Sequence, residues 1–475
     1  MSKNKKTIEE LLEEAVVPKE EQTYEVPENW VYFKFTSIFD VQGGTQPPKS
    51  QFVDEEREGY VRLVQIRDFS SDKYKTYIPN TQKLRKMKEE DILIARYGAS
   101  IGRILTGLSG AYNVALAKVV YPKGKVDKKF LFWLLKSEHF QIPLMGISRS
   151  AQSGFNKNDL SYFKMPLPPL NEQKRIAEKV ERLLSKIEEA KQLIEEAKDT
   201  FELRRAAILD KAFRGELTRK WREENSLEKK EVELINGNQS IESNSPYSIP
   251  TTWKWRKLKD VASFKNGFAF KSKDFVEQGI QLVRMGNLYK NDLALDRNPV
   301  YMPLDFDEKI IEKYSVKNGD ILLSLTGTKY KRDYGYAVRV EGVEKPLLLN
   351  QRILSLNPNF MDEYIFYYLQ SSVFRDVFFS FETGGVNQGN VGSKAVESIL
   401  IPIPPLEEAK EIEKMLNNLL KNEKETLKIL NVEDKLETLK QATLSKAFRG
   451  ELGTNDPREE NAIELLKEVL QEQVK

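Results

Sequence analysis

The chain has 475 residues, 40% hydrophobic and 31% charged, and its 75 Lys and Arg nearly balance 72 Asp and Glu, leaving a net charge of +3. That length accommodates two or three domains with cores of their own, and the balance excludes a uniformly basic nucleic-acid binder, so any such surface must be local or shared with a partner. With no cysteine and a single histidine, His139, the chain lacks the means for disulfides, thiolate nucleophiles, zinc–cysteine sites, imidazole clusters and His-based triads.

The N-terminus, MSKNKKTIEELLEEA, is charged and amphipathic and lacks the apolar core of a signal peptide. No run of about twenty apolar residues follows, so no membrane span is expected. Together with the missing cysteines this fits a cytoplasmic protein. Residues 26–165 carry short β-type runs (YVRLVQI, DILIAR, KVVYP) broken by Gly, Asn and Asp turns, then an aromatic amphipathic helix, FLFWLLKSEHFQ, in which His139 is expected to be a surface or packing residue. After PLPPL, residues 171–213 contain neither Gly nor Pro and read as one helix, with Asn171 as N-cap and Glu172 in the first turn. Ile176, Val180, Leu183, Ile187, Ala190, Ile194, Ala197 and Phe201 form an unbroken heptad seam, and Gly215 ends the helix. At ~1.5 Å per residue the rod is roughly 65 Å long.

NGNQSIESNSP (236–246) has linker composition. Residues 249–401 then repeat the earlier style with IQLVRM, DILLSL and RILSLN, an aromatic helix and a polar Gly/Asn/Gln stretch. A second rod is expected from about Glu407 to Phe448, its seam of Ile412, Leu416, Leu419, Leu427, Leu430, Leu436, Leu439 and Thr443 interrupted by Asn417, Asn418 and Asp434. Neither rod buries its apolar stripe alone, and the economical partner is the other rod, in parallel or antiparallel. An antiparallel pair places the two preceding domains at opposite ends, related by an approximate two-fold.

The two halves are copies. KAFRGEL stands at 211–217 and again at 446–452, LPPL at 167–170 answers IPPL at 403–406, and REEN recurs at 222–225 and 458–461. Upstream, VPENW (26–30) answers IPTTW (249–253), DILIARYGASIGR (91–103) answers DILLSLTGTKYKR (320–332), and FLFWLL (130–135) answers YIFYYL (364–369). The offset stays at 235–236 from LPPL onward and drifts by 13 residues before it. The rods are therefore length-locked, whereas the domains have tolerated insertions in loops.

No phosphate loop, aminomethyltransferase motif, GxSxG or dinucleotide fingerprint is present; GNVGSK (389–394) has the wrong spacing. What the variable segments offer is hydrogen-bonding polarity on loops at matching places. In the first these are Gln46 and Lys49 in GGTQPPKS, Arg67, then Arg96, Tyr97, Ser100 and Arg103 in ARYGASIGR, Asn113, and Arg149, Gln152 and Asn156 in SRSAQSGFNKND. In the second they are Lys265, Asn266 and Lys271 in FKNGFAFKSK, Arg284, then Thr326, Thr328, Lys329, Lys331 and Arg332 in SLTGTKYKR, Asn350, Gln351, and Asn387 and Gln388 in TGGVNQGNVGS. Arg, Asn and Gln read base edges, and Lys, Ser and Thr position phosphates. A fused nuclease or methyltransferase with disguised motifs, or a coiled-coil scaffold without DNA contact, are the other readings.

Two variable domains, each followed by a proline-rich start and a long helix ending in AFRGEL, resemble the specificity subunit of type I restriction–modification systems. The first start, PLPPLNEQKRI, is very close to the family pattern; the second, PIPPLEEAKEI, has Ala409 where the first has Gln173. The resemblance implies an α+β protein with two α/β target recognition domains in tandem pseudo-repeat, separated by two long helices forming an antiparallel intramolecular coiled coil. The implied segments are 1–165, N-terminal segment and first recognition domain; 166–222, central helical spacer; 223–248, linker; 249–401, second recognition domain; 402–452, C-terminal helical spacer; and 453–475, helical tail. It implies a subunit that is no enzyme itself and reads a bipartite, asymmetric site in double-stranded DNA. Its paired helices set the gap and dock two modification (methyltransferase) subunits, and restriction subunits with translocase and nuclease activity join them. S-adenosylmethionine, ATP and Mg are implied on those partners, with no cofactor in this chain.

Overall fold

In a computed structural model, which describes residues 6–148, 154–225, 245–385, 387–430 and 432–474, both variable segments build the same three layers of helices, antiparallel sheet and mixed sheet. In the first, Asp40–Gly43, Leu116–Val120, Leu93–Ala95 and Ile104–Leu105 pair in that order, all antiparallel. The second sheet runs Tyr77–Pro79, Tyr60–Val64, Gly110–Tyr112, Lys86–Met87, and its central pair is parallel, with Leu63 opposite Ala111. Side chains alternate across a strand, and that alternation makes the layers. Ile92 and Ile94 join Phe130, Leu134 and Phe140 on the helix side, while Leu93 meets Val64, Met87 and Tyr112 between the sheets.

The later copy repeats this plan. Ala262–Asn266, Ile353–Pro358, Ile321–Ser324 and Ala337–Arg339 form its antiparallel sheet. Tyr301–Met302, Ile280–Val283, Leu347–Leu349 and Ser315–Val316 form its mixed sheet, with Leu282 opposite Leu348 in parallel. Ile321 and Leu323 pack toward Tyr364 and Phe378, and Leu322 toward Val283 and Leu349. In both copies a two-stranded ribbon ties the start of the domain to its end: Val31–Lys34 with Lys164–Leu167, and Lys254–Lys257 with Leu400–Ile403.

Leu170–Phe213 is one 44-residue helix, and its eight seam residues from Ile176 to Phe201 are all buried or half-buried. The second rod departs from the single helix expected over 407–448. It is two helices, Leu406–Leu430 and Glu433–Phe448. Val432, at φ −117° and ψ 16°, stands between them. A β-branched residue followed by Glu433 and Asp434, which favour a first turn, starts a helix afresh there. Leu439 of the expected seam is exposed.

The spacers form no separate body. The described residues up to Leu193, with those from Val432 onward, make one compact unit, and those from Ile194 to Leu430 make the other. In the first unit the start of the first rod (Ile176, Val180) shares a core with the end of the second (Leu444, Ala447, Phe448). In the second unit the end of the first rod (Leu209, Ala212, Phe213) shares a core with the start of the second (Ile412, Leu416, Leu420). The rods are thus antiparallel within each unit. Ile8–Ala15, opened by a Thr7–Glu10 capping box, and Ala462–Val474 complete the first unit's core through Leu11, Leu12, Leu466 and Leu470.

The duplicated septet closes each unit. Phe213 packs edge-on against Tyr364 and Tyr368 at 5.2 Å each, and Phe448 packs against Phe130 at 5.5 Å. Gly215 and Gly450 lie at φ +74° and +76°, and a Cβ on either would come within 2.4 Å of Pro250 or Pro27, so only glycine both turns the chain and lets it approach. Arg214 lies 4.7 Å from the ring centroid of Tyr247, and Arg449 lies 3.6 Å from that of Tyr24. Each is a cation–π contact worth about 0.5–2 kcal/mol, and Arg214 also pairs with Asp210 at 2.9 Å. Beneath them a fully buried glutamate gathers donors. Glu172 accepts from Trp30 Nε1 (2.7 Å), Asn455 Nδ2 (2.9 Å) and Thr454 Oγ1 (3.3 Å). Glu408 accepts from Trp253 Nε1 (2.9 Å), Thr218 Oγ1 (2.8 Å) and the Arg222 guanidinium (2.8 and 3.0 Å).

His139 belongs to this closure as a buried packing residue. Its Nε2 is 3.2 Å from Tyr32 Oη, and its ring meets Tyr24 at 5.2 Å and Phe448 at 6.4 Å. Burial, reinforced by Arg449, lowers its pKa to about 4. Between that value and the ordinary imidazole value of about 6.5 the unfolded chain binds a proton that the folded unit refuses. Stability therefore falls as pH drops through this window, by on the order of 3 kcal/mol when it has been crossed. Burial raises the pKa of Glu172, which acts in the opposite sense, so the comparison is with a His139→Gln variant. Urea midpoints measured from pH 7 to pH 4 fall more steeply for the wild type than for that variant.

Candidate nucleic-acid interface

The glycines that open each domain let the polar loops converge. A Cβ on Gly44 would sit 2.1 Å from the Asn113 carbonyl oxygen, and one on Gly267 would sit 2.0 Å from that of Asn350. The amides of Asn113 and Asn350 donate to the carbonyls of Val64 and Val283, at 3.2 and 3.3 Å. In each unit the opening loop, the Asn loop and the turn leaving the mixed sheet therefore meet at one place on the same scaffold. The Asn side chains hold their own turns, Asn113 Oδ1 accepting from Ala115 N (3.2 Å) and Asn350 Oδ1 from Arg352 N (3.4 Å).

In the first unit Arg96 joins the remaining loops. Its Nε donates to the Phe155 carbonyl (3.0 Å) and its Nη1 to that of Val114 (3.4 Å), and the guanidinium faces the rings of Tyr97 and Phe155. Sequence reasoning offered Arg96 as a base reader, and the geometry makes it a brace under the cluster. Tyr97 and Ser100 are half-buried beside it, while Gln46, Lys49 and Arg103 are exposed. Asn156 Oδ1 accepts from Asn158 N at 2.8 Å in a side-chain turn. Arg67 is exposed and donates to Thr76 Oγ1 (3.3 Å) beside Tyr74. Arg149 and Gln152 lie outside the described residues.

The second unit has a broader cluster. Thr326–Thr328 pairs with Gln388–Asn390, setting Thr328 opposite Gln388. Lys329 Nζ reaches the Gly384 carbonyl at 3.1 Å, and the buried Thr326 contacts Met285 Sδ at 3.5 Å, just after the exposed Arg284. Lys265 is spent on the Ser315 carbonyl at 2.6 Å. Asn266, Lys271, Lys331, Arg332, Gln351, Asn387 and Gln388 are exposed. Arg332 Nη1 pairs with Asp376 at 2.9 Å.

Sequence reasoning passed over two tyrosines. Tyr74, between Lys73 and Lys75, is 56% exposed, and Tyr330, between Lys329 and Lys331, is 80% exposed. The preceding lysine lies 5.5 and 5.2 Å from the respective ring centroid. The repeated tripeptide Lys-Tyr-Lys was the available signal. Among the described residues there is no cluster of acidic and imidazole groups suited to a metal ion, and no helix long and apolar enough to cross a membrane. The exposed cations, amides and hydroxyls of each cluster suit phosphates and base edges.

Comparisons with known proteins agree. The domain family described as type I restriction modification DNA specificity domain matches residues 27–199 and 250–433. The chain is 25% identical over 411 residues to the specificity subunit of the type I restriction enzyme MjaVIII from Methanocaldococcus jannaschii, covering 84% of this chain and 88% of that one. It is 24% identical over 459 residues to the EcoKI specificity subunit of Escherichia coli, covering 90% of each. A chain solved in work on complex assembly and conformational transition of the type I R-M system matches with a TM-score of 0.62 at 19% identity, over 90% of this chain and all of the other, which shows a common fold. With two such domains in tandem, the protein belongs to the type I restriction modification DNA specificity family.

Proposed function

We propose that the chain directs adenine methylation and restriction to a bipartite, asymmetric sequence in double-stranded DNA. The recognition domain within 1–165 reads one half and that within 249–401 the other, and the paired rods set the gap and dock two methyltransferase subunits. Restriction subunits join that assembly. S-adenosylmethionine, ATP and Mg serve the partners, and this chain acts as the recognition part in the cytoplasm.

The observation that carries this reading is one scaffold with two loop sets. Both domains hold their Asn loops and opening loops by the same glycine contacts, yet one cluster is braced by Arg96 and the other is built on the Thr326–Thr328 ribbon. A shared frame with different hydrogen-bonding side chains is what two unlike half-sites require. The small net charge fits a duplex clamped jointly with partner subunits.

Co-expression with the modification subunit from the same genome, followed by long-read mapping of adenine methylation on a plasmid library, gives a split motif of two short halves around a fixed gap. A stable complex that methylates no such motif contradicts the proposal. In the same assay, four residues inserted near Ala190 change the accepted gap or abolish marking, leaving both half-sites as they were. Single substitutions separate bracing from reading. Arg96→Ala lowers both the melting temperature and use of the first half-site. Arg103→Ala leaves the melting temperature unchanged and weakens that half-site by about 1–3 kcal/mol where its contact is bidentate to a base.

A further inference from the structure

Tyr330 stands at the tip of a loop that is hydrogen-bonded beneath it. Thr328 N donates to Asp333 Oδ1 at 2.7 Å, and Lys331 N closes a turn on the Thr328 carbonyl at 3.2 Å. Arg375 donates to the carbonyls of Arg332 (2.8 Å), Tyr334 and Gly335 (2.9 Å each), and Tyr334 Oη donates to Glu382 at 2.7 Å. Tyr330 itself has φ +67°, and Arg332 has φ +50°. A bulky residue holds the left-handed region only where its surroundings impose it. The strain here holds out in solvent an aromatic ring that is 80% exposed.

The ring's neighbours say what it would meet. Lys329 lies beside its face, and Lys331 and Arg332 are exposed on the same loop. The ribbon at the loop's base presents exposed Gln388 and Asn387. A projecting ring flanked by cations, next to amides, matches a base for the ring, phosphates for the cations and base edges for the amides. We propose that Tyr330 is a wedge that stacks on a base opened at one step of the half-site read by the second domain. That half-site is then recognised partly by how readily the step opens. The inference rests on the reading that this domain binds DNA.

The test uses the full chain in complex with the modification subunit, bound to duplexes carrying the mapped bipartite site. Tyr330→Ala weakens binding roughly 5- to 150-fold, and Tyr330→Phe stays near wild type because the ring, not the hydroxyl, is used. An abasic position is then moved through the second half-site. At the one nucleotide on which the ring stacks, Tyr330→Ala costs nothing further, and elsewhere its penalty persists. Tyr74→Ala, in the first domain's Lys-Tyr-Lys, leaves the second half-site's abasic profile as in the wild type. The proposal is overturned by unchanged binding of Tyr330→Ala, by Tyr330→Phe behaving like alanine, by a penalty that no abasic position removes, or by loss of the protein complex itself. A wild-type complex that marks no bipartite site overturns the functional reading and the wedge with it.

Discussion

The rest of the molecule depends on a rod end pressed onto the start of a recognition domain. Phenylalanine, arginine and glycine of the septet each meet a different part of a Tyr-x-x-Pro-x-x-Trp segment or the aromatic helix behind it: Phe448 on Phe130, Arg449 on Tyr24, Gly450 on Pro27. The same set recurs as Phe213 on Tyr364, Arg214 on Tyr247 and Gly215 on Pro250. Trp30 and Trp253 then donate to the buried carboxylates of Glu172 and Glu408. A buried carboxylate is tolerated only when its oxygens are filled. Rod start, domain start and rod end must therefore all be in place together.

One consequence is that the repeating unit of the sequence is not the unit of the fold. The second septet closes the first domain, and the first septet closes the second. Each compact unit borrows half of a rod from the other repeat. This explains why the rods are length-locked while the domains are not. An insertion in a rod displaces a docking residue, whereas an insertion in a loop such as that between Ala294 and Tyr301 displaces none. Recognition can diversify on the loops without disturbing the frame, which is the division of labour a specificity subunit needs.

Much of this was legible from residue order alone. A Gly- and Pro-free run with a 3.5-residue apolar period predicts the first rod, and it is a single helix. The repeat predicts two domains of one plan, and strand order agrees down to the parallel pair at Leu63 and Leu282. What escaped was the choice of partner at a distance. Nothing local to Arg449 points to Tyr24, 425 positions earlier in the chain, and nothing local to Arg96 says that its donors are used by carbonyls at Val114 and Phe155. Polar side chains on loops read alike whether they face solvent or hold a turn, so Lys265 and Asn113 looked available when each is engaged with backbone. The break in the second rod at Val432 was visible only as a weakened seam, since a helix end there depends on packing as well as on propensity.

The central claim, that each recognition unit is completed by the rod end of the other repeat, is tested most directly by native-state hydrogen exchange on a Phe448→Ala variant. The account predicts faster exchange in the first domain, in Val31–Lys34, Lys164–Leu167 and Lys128–Lys136, with residues 249–401 protected as in the wild type. Loss of protection in residues 249–401, the domain of Phe448's own sequence repeat, with the first domain untouched, would contradict it.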